Sequence, residues 1–263
     1  MQKKQLAELK EFLDIVLKEH NQHSFIEKDP ISIPHRFKIR QDIEIAGFFA
    51  AIFAWGNRTT IINKCNELIH KMDDAPYEFI LNHRETDLKK LLDFKHRTFN
   101  PTDLLHFIRM MKHHYTHHLQ NDSEASLESA FTKSMRKNDK DTGNAIRGFH
   151  DYFFSLEDSP ARTKKHLSTP ANNSSCKRIN MYLRWMVRKD EFGVDFGIWN
   201  NIRMDQLVCP LDVHVQRIAN KLNIINSKKA DWKTAQELTK MLKKLDPIDP
   251  VKYDIALFSL GVK

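Results

Sequence analysis

The sequence predicts an all-helical protein. Three observations carry that prediction. Apolar residues recur every three to four positions along most of the 263 residues, the spacing that gathers them on one helix face. No stretch alternates apolar and polar residues with the period of two that a half-buried strand needs. Helix-start and helix-stop residues punctuate the chain at intervals suited to ten to twelve helices.

The first segment, MQKKQLAELKEFLDIVLKEH, places Leu6, Leu9, Leu13, Val16 and Leu17 on one face. Its charges exclude a signal peptide. EKDPISIPHRF follows, and its two prolines predict an extended connector. Ile43 to Trp55 is apolar nearly all round, which predicts a central buried helix. Gly56 and Asn57 end it, and Thr59 or Thr60 starts the next. Asp73 to Pro76 turns the chain into two short helices, APYEFILNHR and ETDLKKLLDF. NPTDLLHFIRMMKHHY opens with Pro101 and Asp103, a good helix start.

Residues 119–145 are polar and predict a surface insertion with one weak helix near Leu127, Ala130 and Phe131. AIRGFHDYFFSL is helical again. STPANNSSCKRINMYLRWMVRKD is a polar turn feeding a helix, and FGVDFGIWNNIRMDQLV an irregular connector. Asp212 then stands where the next helix wants its N-cap, and Asp231 caps the one after. KYDIALFSLG closes the chain as an apolar helix.

Composition excludes several classes. Seven glycines leave no phosphate-cradling Gly-rich loop, so dinucleotide enzymes and P-loop nucleotidases are out. No apolar run reaches the 18 residues of a membrane span. Cys65, Cys176 and Cys209 are too few and too scattered for a disulfide framework, a zinc site or a four-cysteine cluster. His113/His117 and His114/His118 have a zinc-compatible spacing without a carboxylate or thiolate partner, so no metal or other cofactor is expected. A net charge of +8 and a pI near 9.3 suit a polyanionic partner, nucleic acid first.

Two stretches become informative together. NNSSCKRINMYLRWMVR puts Lys177 in the first turns of a helix after a polar hairpin, and PLDVHVQRIANKL puts Asp212, 35 residues later, at the start of another. Ser175-Cys176-Lys177 and Leu211-Asp-Val-His-Val-Gln-Arg217 resemble the hairpin end and the aspartate motif of the helix-hairpin-helix DNA glycosylases of the endonuclease III type. DIEIAGFFAAIFAWGNRTTIINK and KYDIALFSLG look like that superfamily's early buried helix and closing helix. The whole chain resembles, more closely, the DUF2400 family of uncharacterised bacterial proteins, and the long Lys-to-Asp connector is similar to that of archaeal 8-oxoguanine glycosylases.

The resemblance implies a bilobal glycosylase-like fold. One lobe comprises residues 30–185 with Lys177, and the other comprises 1–29 plus 186–263 with Asp212. It implies base excision with associated lyase activity on oxidised purine such as 8-oxoguanine. Lys177 would attack C1′ as a neutral amine, favoured by a cleft and by neighbouring Arg178, and leave a Schiff base. Asp212 would support the oxocarbenium-like centre. The hairpin, ANNSSCK, lacks the Gly-x-Gly of the superfamily, so the hydroxyls of Ser174 and Ser175, with helix-start amides, would hold a phosphate. Arg178 and Arg58 join them as DNA contacts, and Arg36 and Arg40 also flank the first buried helix. Trp55, Trp185, Trp199 and Phe258 are candidates to wall a flipped base. The expected partner is a damaged DNA duplex met by a monomer in the cytoplasm at the nucleoid. Two alternatives stay open: a non-catalytic nucleic-acid binder on the same fold, and an all-helical interaction protein without a DNA role.

Overall fold

The computed structural model describes residues 2–121 and 125–261, with 118–121 described by backbone only. The side chain of His118 and part of the polar segment, 122–124, lie outside the described residues. Among those described there are thirteen α-helices and no strand; a single antiparallel bridge pairs His96 with Phe99. Among the described residues no helix is long and apolar enough to cross a membrane.

Helix α1 (Lys3–His20) buries Leu9, Leu13 and Val16 as its periodicity requires, and α2 (His23–Ile26) is a short turn. Pro30–Ser32 and Pro34–Arg36 form 3-10 turns where an extended connector was expected. Proline opens both, because its fixed φ suits a first helical position and its missing N–H would be unbonded there anyway. Helix α3 (Arg40–Phe53) is buried from Asp42 to Phe53. Asn57, rather than a threonine, caps α4 (Arg58–Lys71), accepting from Thr60 N at 3.1 Å. Helices α5 (Pro76–Asn82), α6 (Glu85–Leu88), α7 (Pro101–Asn121), α8 (Leu127–Thr132) and α9 (Gly143–Phe153) follow. The last four are α10 (Lys177–Val187), α11 (Val213–Lys221), α12 (Trp232–Leu242) and α13 (Tyr253–Gly261). Asp231 caps α12 as expected, accepting from Thr234 N at 2.9 Å.

The chain forms two compact units. One comprises residues 28–134 and 147–168. Its core is aromatic: Phe107 meets Phe153 edge to face at 4.7 Å, and Phe131 stacks on Phe149 at 3.8 Å. Glu44 on α3 is fully buried and satisfied by four donors: Arg40 Nε, Tyr115 Oη, Leu127 N and Ser126 Oγ. Residues 125–131 are therefore core, not the surface insertion their polarity suggested. Leu127, Ala130 and Phe131 are buried, and the segment's backbone and hydroxyl groups solvate the Glu44 carboxylate.

The other unit comprises residues up to Glu27, 135–146, and Thr169 onward. In it α13 packs on both α1 and α11. Tyr253 Oη donates to Asp14 at 2.9 Å. Tyr182 and Trp199 pack at right angles, 5.4 Å apart. Arg184 and Arg188 are almost wholly buried among aspartates. Arg184 reaches Asp195 at 3.2 Å and also pairs with Asp254. Arg188 reaches Asp195 at 2.9 Å, Asp190 at 2.7 Å and Asp249 at 2.9 Å. The boundary falls at Thr169, where the sequence reading set it after residue 185. Helix α10 thus shares a unit with α11, and the pair formed by their first turns is internal to it.

Candidate functional site

Two helix starts, α10 and α11, build the site. The chain enters α10 through a tight hairpin. Pro170–Asn172 makes a 3-10 turn, and Asn173 and Cys176 then take left-handed backbone at φ +57° and +52°. Glycine takes that conformation without strain, while Asn tolerates it better than most residues. The hairpin without glycine thus still makes left-handed turns. Ser174 Oγ accepts from Cys176 N at 3.1 Å. Ser175 is buried, and its hydroxyl donates to Leu211 O at 2.8 Å. Asn180 Nδ2 donates to Ser175 O at 3.0 Å. These bonds fasten the first turn of α10 to the residue before Asp212.

Asp212 divides its two oxygens between two tasks. Oδ1 accepts from His214 N at 2.9 Å and Val215 N at 3.0 Å, the N-cap of α11. Oδ2 lies 3.9 Å from Lys177 Nζ. Both side chains keep about a quarter of their surface open, 24% and 25%. Helix α10 opens with two cations, Lys177 and Arg178, at the positive end of its dipole, a placement that stability disfavours. Burial pushes the Arg178 guanidinium down to about 10. The Asp212 carboxylate offsets one of those charges.

A second carboxyl is coupled electrostatically to the pair. Asp254 on α13 is buried, pairs with Arg184, and lies 4.0 Å from Cys209 Sγ, three residues before Asp212. Burial raises its carboxyl from the ordinary 3.8 to about 6, Arg184 and Lys177 opposing and Asp212 reinforcing. The folded value exceeds the unfolded one, so this group's stabilisation is full below about pH 4 and fades as pH rises through 6. The rise from 3.8 to about 6 caps the effect at about 3 kcal/mol. Asp254→Asn keeps the shape and an acceptor for Arg184 but cannot ionise. In urea titrations the variant should gain on the wild type between pH 4.5 and 7.5. A stability difference that does not move with pH contradicts this assignment.

The other candidates scatter. Trp185 and Trp199 are buried in the core of their unit, so neither presents a face to a base. Phe258 is half-buried on α13, one turn beyond Asp254, with Phe25 edge-on at 6.5 Å. Trp55 and Arg58 belong to the other unit, half-buried around the start of α4. Arg36 and Arg40 are held by Asp74 and by Glu44 and Glu128. His114 is buried between Tyr152 Oη and Ser126 O. The Ser175 hydroxyl faces Leu211, which leaves Ser174 as the more accessible hairpin hydroxyl. Sequence reasoning missed Asp254 and Arg184. The one available signal was an aspartate inside the apolar run YDIALF.

Fold and site together define an all-helical protein with an amine–carboxylate pair held where two helices begin. The chain belongs to the DUF2400 family, whose model, described as a protein of unknown function, matches residues 29–263. No curated protein and no solved structure matches it.

Proposed function

We propose that this protein is a DNA glycosylase with associated lyase activity on a helix-hairpin-helix type fold, acting on oxidised purine in duplex DNA. The observation that carries the reading is the Lys177–Asp212 pair: two groups 35 residues apart, 3.9 Å from each other, each on a helix start and each partly open to solvent. In the proposed reaction the Lys177 amine, once it has given up a proton, attacks C1′. The N–C1′ bond forms as the glycosidic bond breaks, and the base leaves with the bonding electrons and takes a proton. Loss of the amine protons and opening of the sugar ring give the Schiff base, from which β-elimination cuts the strand. The Asp212 carboxylate supports the positive charge developing at C1′. The purine preference rests on the resemblance to the archaeal enzymes, and the net charge of +8 supports a DNA partner.

A second reading keeps nucleic-acid binding and drops the chemistry. It is favoured by Asp212 being engaged already, as cap and as ion-pair partner. A panel of duplexes carrying single oxidised, deaminated, alkylated or abasic residues separates the two. Excision or strand cleavage on at least one duplex, absent in Lys177→Gln, supports the enzyme. Salt-sensitive binding to the duplexes, with no product on any of them, leaves only the binder.

A further inference from the structure

Trp55 and Arg97 form a stacked pair on the unit made of residues 28–134 and 147–168. The Arg97 guanidinium carbon lies 4.5 Å from the centre of the Trp55 ring. Trp55 is half-buried, whereas Trp185, Trp199 and Trp232 are all buried, so it is the one tryptophan with appreciable open surface. Arg97 is exposed and forms no ion pair among the described residues. Its neighbour in space differs in this respect. Arg162 donates to Thr98 O in the same loop at 3.2 Å, and its charge is met by Asp103.

Strained backbone and a required glycine hold the stack. Arg97 is the first residue of the two-residue loop that closes the His96–Phe99 bridge. Its φ of +55° costs a residue with a β-carbon about 1–2 kcal/mol. Gly56 sits at φ +112°, and a β-carbon there would lie 2.3 Å from Arg97 Nη1. The guanidinium therefore lies over the indole, with its Nη1 close against the bare backbone of Gly56. His96 pins the loop from beneath: it is buried, its Nε2 is 3.1 Å from Phe53 O, and its ring meets Trp55 edge-on at 5.8 Å. Hairpin loops usually give such a position to Gly, Asn or Asp. Local strain that persists around an exposed, unneutralised cation points to a ligand for that cation.

We propose that the Trp55–Arg97 stack is a platform for an unpaired nucleotide of a DNA strand. The base lies on this flat cationic–aromatic surface, and the adjacent phosphate takes the free N–H edge of the guanidinium. Arginine suits both tasks, because its plane stacks and its edge offers paired donors to phosphate. Bases of any sequence can use the surface, since every base has a π face. The site stands whether or not Lys177 performs chemistry.

The test is binding of a fluorescein-labelled dT12 strand, read by anisotropy, beside quenching of tryptophan fluorescence by the unlabelled strand. Arg97→Ala should weaken binding about tenfold or more and flatten the salt dependence by roughly 0.7 in log–log slope, the value of one phosphate on a single strand. Arg97→Lys should keep the slope and still lose several-fold. Arg97→Gly suits the left-handed loop position, so it separates loss of the side chain from damage to the hairpin. It should fold at least as stably as the wild type and bind as weakly as Arg97→Ala. Trp55→Phe should abolish most of the quenching, because the three remaining tryptophans are buried. Wild-type affinity in both Arg97→Ala and Arg97→Gly, or full quenching in Trp55→Phe, overturns the proposal. Loss of excision in Lys177→Gln with dT12 binding intact would separate this site from the proposed catalytic pair.

Discussion

Asp212→Asn should fold with near wild-type stability and lose base excision by orders of magnitude. Asparagine caps a helix about as well as aspartate, so the bonds from His214 N and Val215 N survive with a change of about 1 kcal/mol or less. What disappears is the negative charge on Oδ2, 3.9 Å from Lys177. An interaction aimed at charge that develops in the transition state is worth far more to rate than to stability. Urea denaturation beside single-turnover excision separates the two roles. Equal activity in wild type and variant would reduce Asp212 to a cap and an ion-pair partner. A variant that unfolds would show the Oδ2–Lys177 contact to be a main support of the fold.

Arg188→Ala should destabilise the protein by about 3–5 kcal/mol, the usual cost of removing one side of a buried ion network. Arg188 is 2% exposed and neutralises parts of Asp190, Asp195 and Asp249. Truncation leaves the fully buried Asp195 with only Arg184, at 3.2 Å, and removes the guanidinium from Asp249. Arg188→Lys should recover only part of the loss, because one ammonium cannot satisfy three carboxylates held in a planar fork's geometry. Midpoints in urea at fixed pH measure both. A loss under about 1 kcal/mol for Arg188→Ala would mean that the network is hydrated and contributes little.

Much of the site was legible because its signals are local. An aspartate before an apolar helical run announces a cap, and Asp212 and Asp231 both cap as expected. Lys177 and Asp212, singled out together by their two motifs, lie 3.9 Å apart, an ion-pair distance that leaves no room for a sugar between them. What stayed hidden depends on partners far along the chain. The polarity of residues 119–145 suggested solvent, yet Ser126 and Leu127 within them solvate Glu44, more than 80 residues earlier. Ser175 looked like a phosphate ligand until Leu211 O took its hydroxyl, 36 residues on. The left-handed turns at Asn173 and Cys176 were hidden because no glycine marks them in the sequence. Trp185 and Trp199 show the limit of residue type as a guide: an aromatic suits a base pocket and a core equally, and only the packing around it distinguishes them.

The central claim is that Lys177 acts as a nucleophile on a deoxyribose carbon. Sodium borohydride trapping on the lesion panel tests it most directly, with the adduct digested and the modified peptide identified by mass. The account predicts a stable protein–DNA adduct on at least one damaged duplex, located at Lys177, strongly weakened in Asp212→Asn and absent in Lys177→Gln. No adduct on any duplex at pH 6 to 9, or an adduct that maps to another lysine and survives Lys177→Gln, would contradict it.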